Sequence, residues 1–267
     1  EGVAFETSAT KLMEVLGLAA APLVIGTMQL GGALLLDAAT FLVCAICSAW
    51  IALPAVEKEK ITLQGGLSDL KEGFSYVRKS GGLIRICVFT CLINIVFVPV
   101  NVFQVPYVED ILHAGSSMLS VIGIGAIAGM SVCSLFGPMI KEKLGERKAF
   151  WASGFLIGAA YAALIGIAGA QVWIQYVVLF AVMFLFGAGI AVSSFLIQTQ
   201  MFAWVEQEYL SRVSAIMNMF ALCIVPLASA LAGLVSEIIR LELLFLGAGV
   251  FALCVYSIDY LWPRRKG

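Results

Sequence analysis

The stretch "GIGAIAGMSVCSLFGPMIKEKLGERKAF", Gly123 to Phe150, decides how this chain is read. It carries no charge as far as Ile140, places six charges between Lys141 and Lys148, and then turns apolar again. A helix rises about 1.5 Å per residue, so about 20 apolar residues cross roughly 30 Å of hydrocarbon. The stretch is therefore a membrane helix delivered into a charged hairpin that returns at once into the bilayer.

Composition extends that reading to the whole chain. Of its 267 residues, 61% are hydrophobic and only 12% are charged, and the mean hydropathy is +1.02. Ordinary soluble domains are about a quarter charged, so this chain has too little polar surface to cover itself in water. The net charge of −1 argues against a nucleic-acid partner. The expected class is an all-α integral membrane protein whose main partner is the lipid bilayer.

Eight apolar runs are long enough to be spans: Leu12 to Met28, Ala33 to Leu53, Ile84 to Tyr107, Ser117 to Ile140, Ala149 to Ala168, Val172 to Trp204, Val213 to Ser236 and Leu243 to Leu261. Only "MQLGG", Met28 to Gly32, separates the first two, and a re-entrant hairpin is the other reading there. When alternate connections are assigned to alternate sides, every one of the 16 Lys and Arg residues except Arg240 falls on one side. Positive residues are retained in the cytoplasm, which puts both ends of the chain inside and Glu109, Asp110 and His113 outside.

Small residues mark the expected helix contacts. Gly125 and Gly129 lie four apart on one face, and Gly154, Gly158 and Ala162 repeat the spacing on the next span. In lipid, close backbone approach at such positions takes the place of a hydrophobic driving force. "GIGAIAG" has no preceding strand and is not a nucleotide-binding loop.

"GPMIKEKLGERK" resembles the short loop motif of the major facilitator superfamily, in which a glycine is followed by an Asp-Arg pair, a second glycine and further basic residues, with Glu142 here replacing the Asp. Aligned on Gly145, Glu142 takes the acidic place, Lys143 the basic one, and Arg147 and Lys148 the trailing pair. Pro138 stands where the first glycine belongs, and Gly137 lies one residue early. "GLAAAPLVIG" resembles the fifth-span antiporter signature of the same superfamily: Gly17, Pro22 and Gly26 match, while Ala21 and Ile25 replace two glycines. "LLLDAATFLVCAI", "LKEGFSYVRKS", "VPYVEDIL" and "YLSRVSAIMN" are similar to the macrolide-efflux and siderophore-exporter branch.

The resemblance implies that the eight predicted helices are spans five to twelve of a twelve-helix fold, in a carboxy-terminal fragment lacking the first four. Residues 1–54 would then close the amino-terminal half, 55–83 form a cytoplasmic linker, and 84–267 make the carboxy-terminal six-helix half. In the linker, Leu67, Leu70, Phe74 and Val77 share a helical face opposite charges, as in a helix lying on a membrane surface. The implied activity is plasma-membrane efflux of an amphipathic drug-like or siderophore-like molecule, with the proton as coupling ion and no cofactor. Such transporters bind cargo near the midplane between two rocking halves. A scaffold or inactive fragment is the alternative, since half a transporter lacks a two-walled pathway.

Polar residues inside spans supply the candidate pathway. Thr90, Asn94, Phe97, Asn101 and Gln104 share a face of span seven, while Ser194 with Gln198, and Ser214 with Asn218, are spaced four apart on spans ten and eleven. Facing lipid would be costly, which leaves cavity lining or interhelical hydrogen bonding. Pro99 and Pro106 allow span seven to bend. Asp37 is read as the only carboxylate well inside a span; it is either a coupling residue or a helix-start cap. Membrane-embedded enzyme chemistry lacks a cluster of acids, bases or ligands. The seven cysteines all fall within spans, have no accompanying histidine, and are read as small buried hydrophobes with no metal.

Overall fold

The computed structural model describes residues 13, 31–32, 34–50, 63–115 and 117–261. The chain divides into two compact units, Glu1–Asp69 and Leu70–Gly267. The first contains α1, an apolar helix at Leu34–Trp50. Most of the candidate span at Leu12 to Met28, and with it Gly17, Pro22 and Gly26, lies outside the described residues.

The second unit is built from six apolar helices long enough to cross a bilayer. They are α3 (Gly81–Pro106), α4 (Ser117–Leu144), α5 (Glu146–Gly166), α6 (Val172–Trp204), α7 (Leu210–Ser236) and α8 (Leu241–Leu261). They follow α2 (Leu63–Lys79), and the described residues contain no strand. In hydrocarbon every backbone N–H and C=O has to be satisfied within the segment, which leaves the helix as the available form. At about 1.5 Å per residue α6 is about 50 Å long, so it tilts or protrudes from a core of about 30 Å. Trp173 and Trp204 near its two ends are exposed, as suits interfacial anchors.

The helices meet where glycines remove side chains. A Cβ on Gly129 of α4 would lie 2.0 Å from the Phe184 carbonyl oxygen, and one on Gly187 of α6 would lie 1.9 Å from the Ala126 carbonyl oxygen. The α4–α6 seam is thus backbone against backbone. On α5, Gly154 receives the Tyr256 ring and Gly158 receives Leu253 and the Gly249 carbonyl of α8. Ala162 is exposed and lies off this seam, so the expected run of small residues ends after Gly158.

α3 runs as one helix through Pro99 and changes form only after Pro106. After Pro106 the chain continues as a π-helical turn, Tyr107–Ile111, in which the Leu112 N–H donates to the Tyr107 carbonyl at 3.1 Å. Two tyrosines secure the helix from outside. The Tyr107 hydroxyl donates to the Leu164 carbonyl at 2.6 Å, and the Tyr161 hydroxyl donates to the Val96 carbonyl, three residues before Pro99.

The described part of α2 packs against the start of α7. Among its described side chains Gly73 and Val77 are buried and Phe74 is exposed, while the side chains of Leu67 and Leu70 lie outside the described residues. A Cβ at Gly73 would sit 2.7 Å from Ile216 Cδ1, Tyr76 stacks on Tyr209 with centroids 4.4 Å apart, and Glu72 pairs with Arg212 at 3.2 Å. The helix docks on the start of α7 because a glycine notch admits Ile216, a contact that hydrophobic periodicity does not reveal.

Replacing Gly187 or Gly129 by alanine should lower the thermal midpoint of the detergent-solubilised protein by several degrees, since overpacking costs about 1–3 kcal/mol. Gly233→Ala, with nothing within 4 Å of the new Cβ, should leave it unchanged or slightly raised.

Candidate functional site

Three helices bring part of the candidate pathway together. A cavity of about 280 Å³ is lined by Thr90 and Ile93 of α3, by Ser194, Ile197, Gln198 and Met201 of α6, and by Ser214, Met217 and Asn218 of α7. Five of the eight pathway candidates are therefore on one wall. Ser194, Gln198 and Asn218 are exposed to this space, and none has a hydrogen-bond partner among the described residues. The Ser214 hydroxyl reaches only Met201 Sδ, at 3.7 Å. No lining residue carries a charge, so the cavity offers uncharged donors and acceptors among apolar and thioether groups.

The α3 stripe does not stay on that wall. Thr90 Oγ1 donates to the Ile86 carbonyl and Asn94 Nδ2 to the Thr90 carbonyl, so both satisfy themselves on their own helix. Phe97 packs edge-to-face on Phe186, and Asn101 is exposed. Gln104 borders a separate cavity of about 10 Å³ with Tyr107, Leu164, Met183 and Phe245. Offsets of 4, 7, 11 and 14 residues spread over about 80° at 100° per residue, so the stripe is wide enough to meet more than one neighbour. One sequence stripe is thereby divided among three environments.

At the basic end, α4 runs straight into the charged hairpin and stops at Gly145, whose backbone has φ 75° and ψ 152°. That conformation belongs almost wholly to glycine. The Gly145 N–H still closes on the Lys141 carbonyl at 2.9 Å, and its own carbonyl accepts from the Ala149 N–H at 3.0 Å. The glycine thus ends one helix and begins the next within a single residue. Lys141 pairs with Glu146 at 2.8 Å, inside the hairpin, while Arg147 lies 4.8 Å from the Tyr260 ring centroid of α8. Glu142, Lys143 and Lys148 are exposed. Gly137 is buried against Phe195, where a Cβ would meet the ring at 2.9 Å.

The description Major Facilitator Superfamily belongs to the family model that matches residues 2–202. This chain belongs to the major facilitator superfamily. Neither a curated protein nor a solved structure matches it. Membership makes it a multi-pass membrane protein of the transporter type, consistent with its six long apolar helices.

Two readings of this major facilitator chain need correction. Asp37 lies in the first turn of α1 and is exposed, and it is not the sole carboxylate inside a span. Asp259, near the end of α8, is 4% exposed and forms an ion pair with Arg85 of α3. Both had a sequence signal, "GGLIRICV" and "YSIDYL", each a lone charge one turn inside an apolar run. The cysteines are also less buried than expected: only Cys87 is buried, while Cys44, Cys47, Cys223 and Cys254 are exposed. A thiol is apolar enough to face hydrocarbon as readily as protein.

In a cysteine-free background, single cysteines at Ser194 and Asn218 should react with a membrane-impermeant maleimide. One at Val96, 1% exposed, should stay inert. Gly145→Ala should destabilise the hairpin by about 1–3 kcal/mol, seen as a lower thermal midpoint, whereas Lys143→Ala should not.

Proposed function

We propose that the protein is a secondary active transporter that exports an amphipathic small molecule, drug-like or siderophore-like, by alternating access. It would work in the plasma membrane with both termini of this chain cytoplasmic and with the proton as coupling ion. One observation carries the reading: the uncharged cavity of about 280 Å³ lined by α3, α6 and α7. Gln198, Asn218 and Ser194 supply hydrogen bonds with no competing partner among the described residues, while Ile93, Ile197, Met201 and Met217 supply apolar contact. Such a wall suits a cargo that is neutral where it touches this surface, because an unpaired buried charge is costly. Export and proton coupling are supported by the likeness of Gly17, Pro22 and Gly26 to the antiporter signature. The hairpin from Gly137 to Lys148 fits a gate at the basic end, since it ties α4 and α5 to each other and to α8.

The test is uptake by inverted proteoliposomes of a macrolide and of the neutral amphiphilic dye Nile red, under an imposed proton gradient. Gradient-dependent accumulation, abolished by a protonophore, is expected. Gln198→Leu and Asn218→Leu should raise the KM several-fold with less effect on kcat, as for a lost ground-state contact. Failure to move any neutral amphiphile under the gradient would leave the scaffold reading instead.

A further inference from the structure

The most unusual chemistry in the bundle lies one turn inside its basic end, beside the cavity. Arg85 of α3 and Asp259 of α8 form an ion pair with side-chain exposures of only 11% and 6%. A long cationic side chain so near a helix end ordinarily turns outward to water. This one turns inward, over the Phe89 ring at 5.7 Å from its centroid. Beside the pair is a cavity of about 10 Å³, bordered also by Ile86, Phe150, Ile197 and the buried Gln200. Arg85 Nε is buried there without a hydrogen-bond partner among the described residues.

Two links join this pair to the larger cavity. Ile197 of α6 borders both spaces, with Gln200 on the side of the pair and Gln198 on the side of the cavity. On α3, Ile86 borders the pair while its carbonyl holds the hydroxyl of Thr90, which lines the cavity. The rest of α3 is fastened differently. Tyr161 holds the Val96 carbonyl and Tyr107 holds the far end, while the first turns pack Leu83, Ile86 and Cys87 against α6 and α7 and are tied to α8 through Arg85.

We propose that Arg85 and Asp259 form a charge latch that positions the α3 wall of the cavity against α8 and thereby limits access to the cavity. The physical basis is the asymmetry of buried ion pairs. Against an apolar pair of the same shape such a pair adds little stability, yet losing the carboxylate leaves the buried Arg85 guanidinium without its ion-pair partner. The pair therefore specifies where α3 sits more than how firmly the bundle folds. Arg85 and Asp259 are positioning residues: neither lines the larger cavity.

The inference rests on the transporter reading only for its consequence in transport, so its test is read without any cargo. A single cysteine at Ser194, in an otherwise cysteine-free protein in proteoliposomes, reports cavity accessibility through its rate of labelling by an impermeant maleimide. Asp259→Asn and Arg85→Gln should each raise that rate at least five-fold. Asp259→Glu and the exchanged pair R85D/D259R should bring it within two-fold of the parent. Parent-like rates in both single variants would overturn the latch, as would an exchanged pair that labels like the singles. Should a single variant not fold, the neutral double R85Q/D259N removes both charges of the pair and decides alone: a raised rate supports the latch, and a parent-like rate overturns it. Raised labelling in a protein that moves no amphiphile would keep the latch and remove the proposed cargo.

Discussion

Lipid gives helices no hydrophobic reason to associate, so this bundle depends on how closely two backbones can approach. Gly125 and Gly129 on α4 and Gly187 on α6 make that approach, with carbonyl oxygens occupying the space where side chains would otherwise stand. Dispersion falls steeply with distance, and only glycine brings many backbone atoms into contact at once. α6 is thereby held against α4, and its other surfaces are left to meet α5 and α3. The next glycine on the same helix, Gly189, admits Ile157 and the Ser153 carbonyl of α5.

With α6 held in place, a step of one residue along it separates two kinds of polar group. Ser193 is fully buried and bonds to Ser153 and Tyr256, each at 2.8 Å, joining α5, α6 and α8. Ser194 is exposed and opens onto the cavity. Successive residues are turned by about 100°, so neighbours of identical chemistry end in a saturated network and in a free site. Gln198 and Gln200 repeat the division two residues apart, at the cavity and beside the Arg85–Asp259 pair. The buried network satisfies itself, and the cavity groups retain their hydrogen bonds for a ligand.

The hairpin at Gly145 shows how a local backbone requirement becomes a tertiary one. Its φ of 75° turns the chain in one residue, placing Arg147 over Tyr260 and Lys141 on Glu146. A longer loop would leave those side chains free to remain in water. The motif's glycine thus has a backbone reason to be there that is independent of any gating role. Lys141 meets Glu146 within the hairpin and Arg147 meets α8, while Glu142, Lys143 and Lys148 are exposed.

The helices, their order and their approximate ends were legible in the sequence because each depends on an apolar run longer than the hydrocarbon is thick. The span at Val172–Trp204 has the same limits in both, and α4 and α5 run only a few residues further toward Gly145. The glycine contacts of α4 and α5 were legible for a similar reason, since a spacing of four places residues on one face whatever the neighbour. The apportioning of polar residues was not. Thr90, Asn94 and Gln104 share a sequence stripe but not a cavity, because helix drift and the identity of the packed neighbour intervene. Arg85 and Asp259 are 174 residues apart, and each alone resembles a charge at a helix end. Sequence determines which residues can afford to be buried in lipid; only packing in three dimensions decides which of them meet, because an ion pair or a cavity is a property of two or more helices at once.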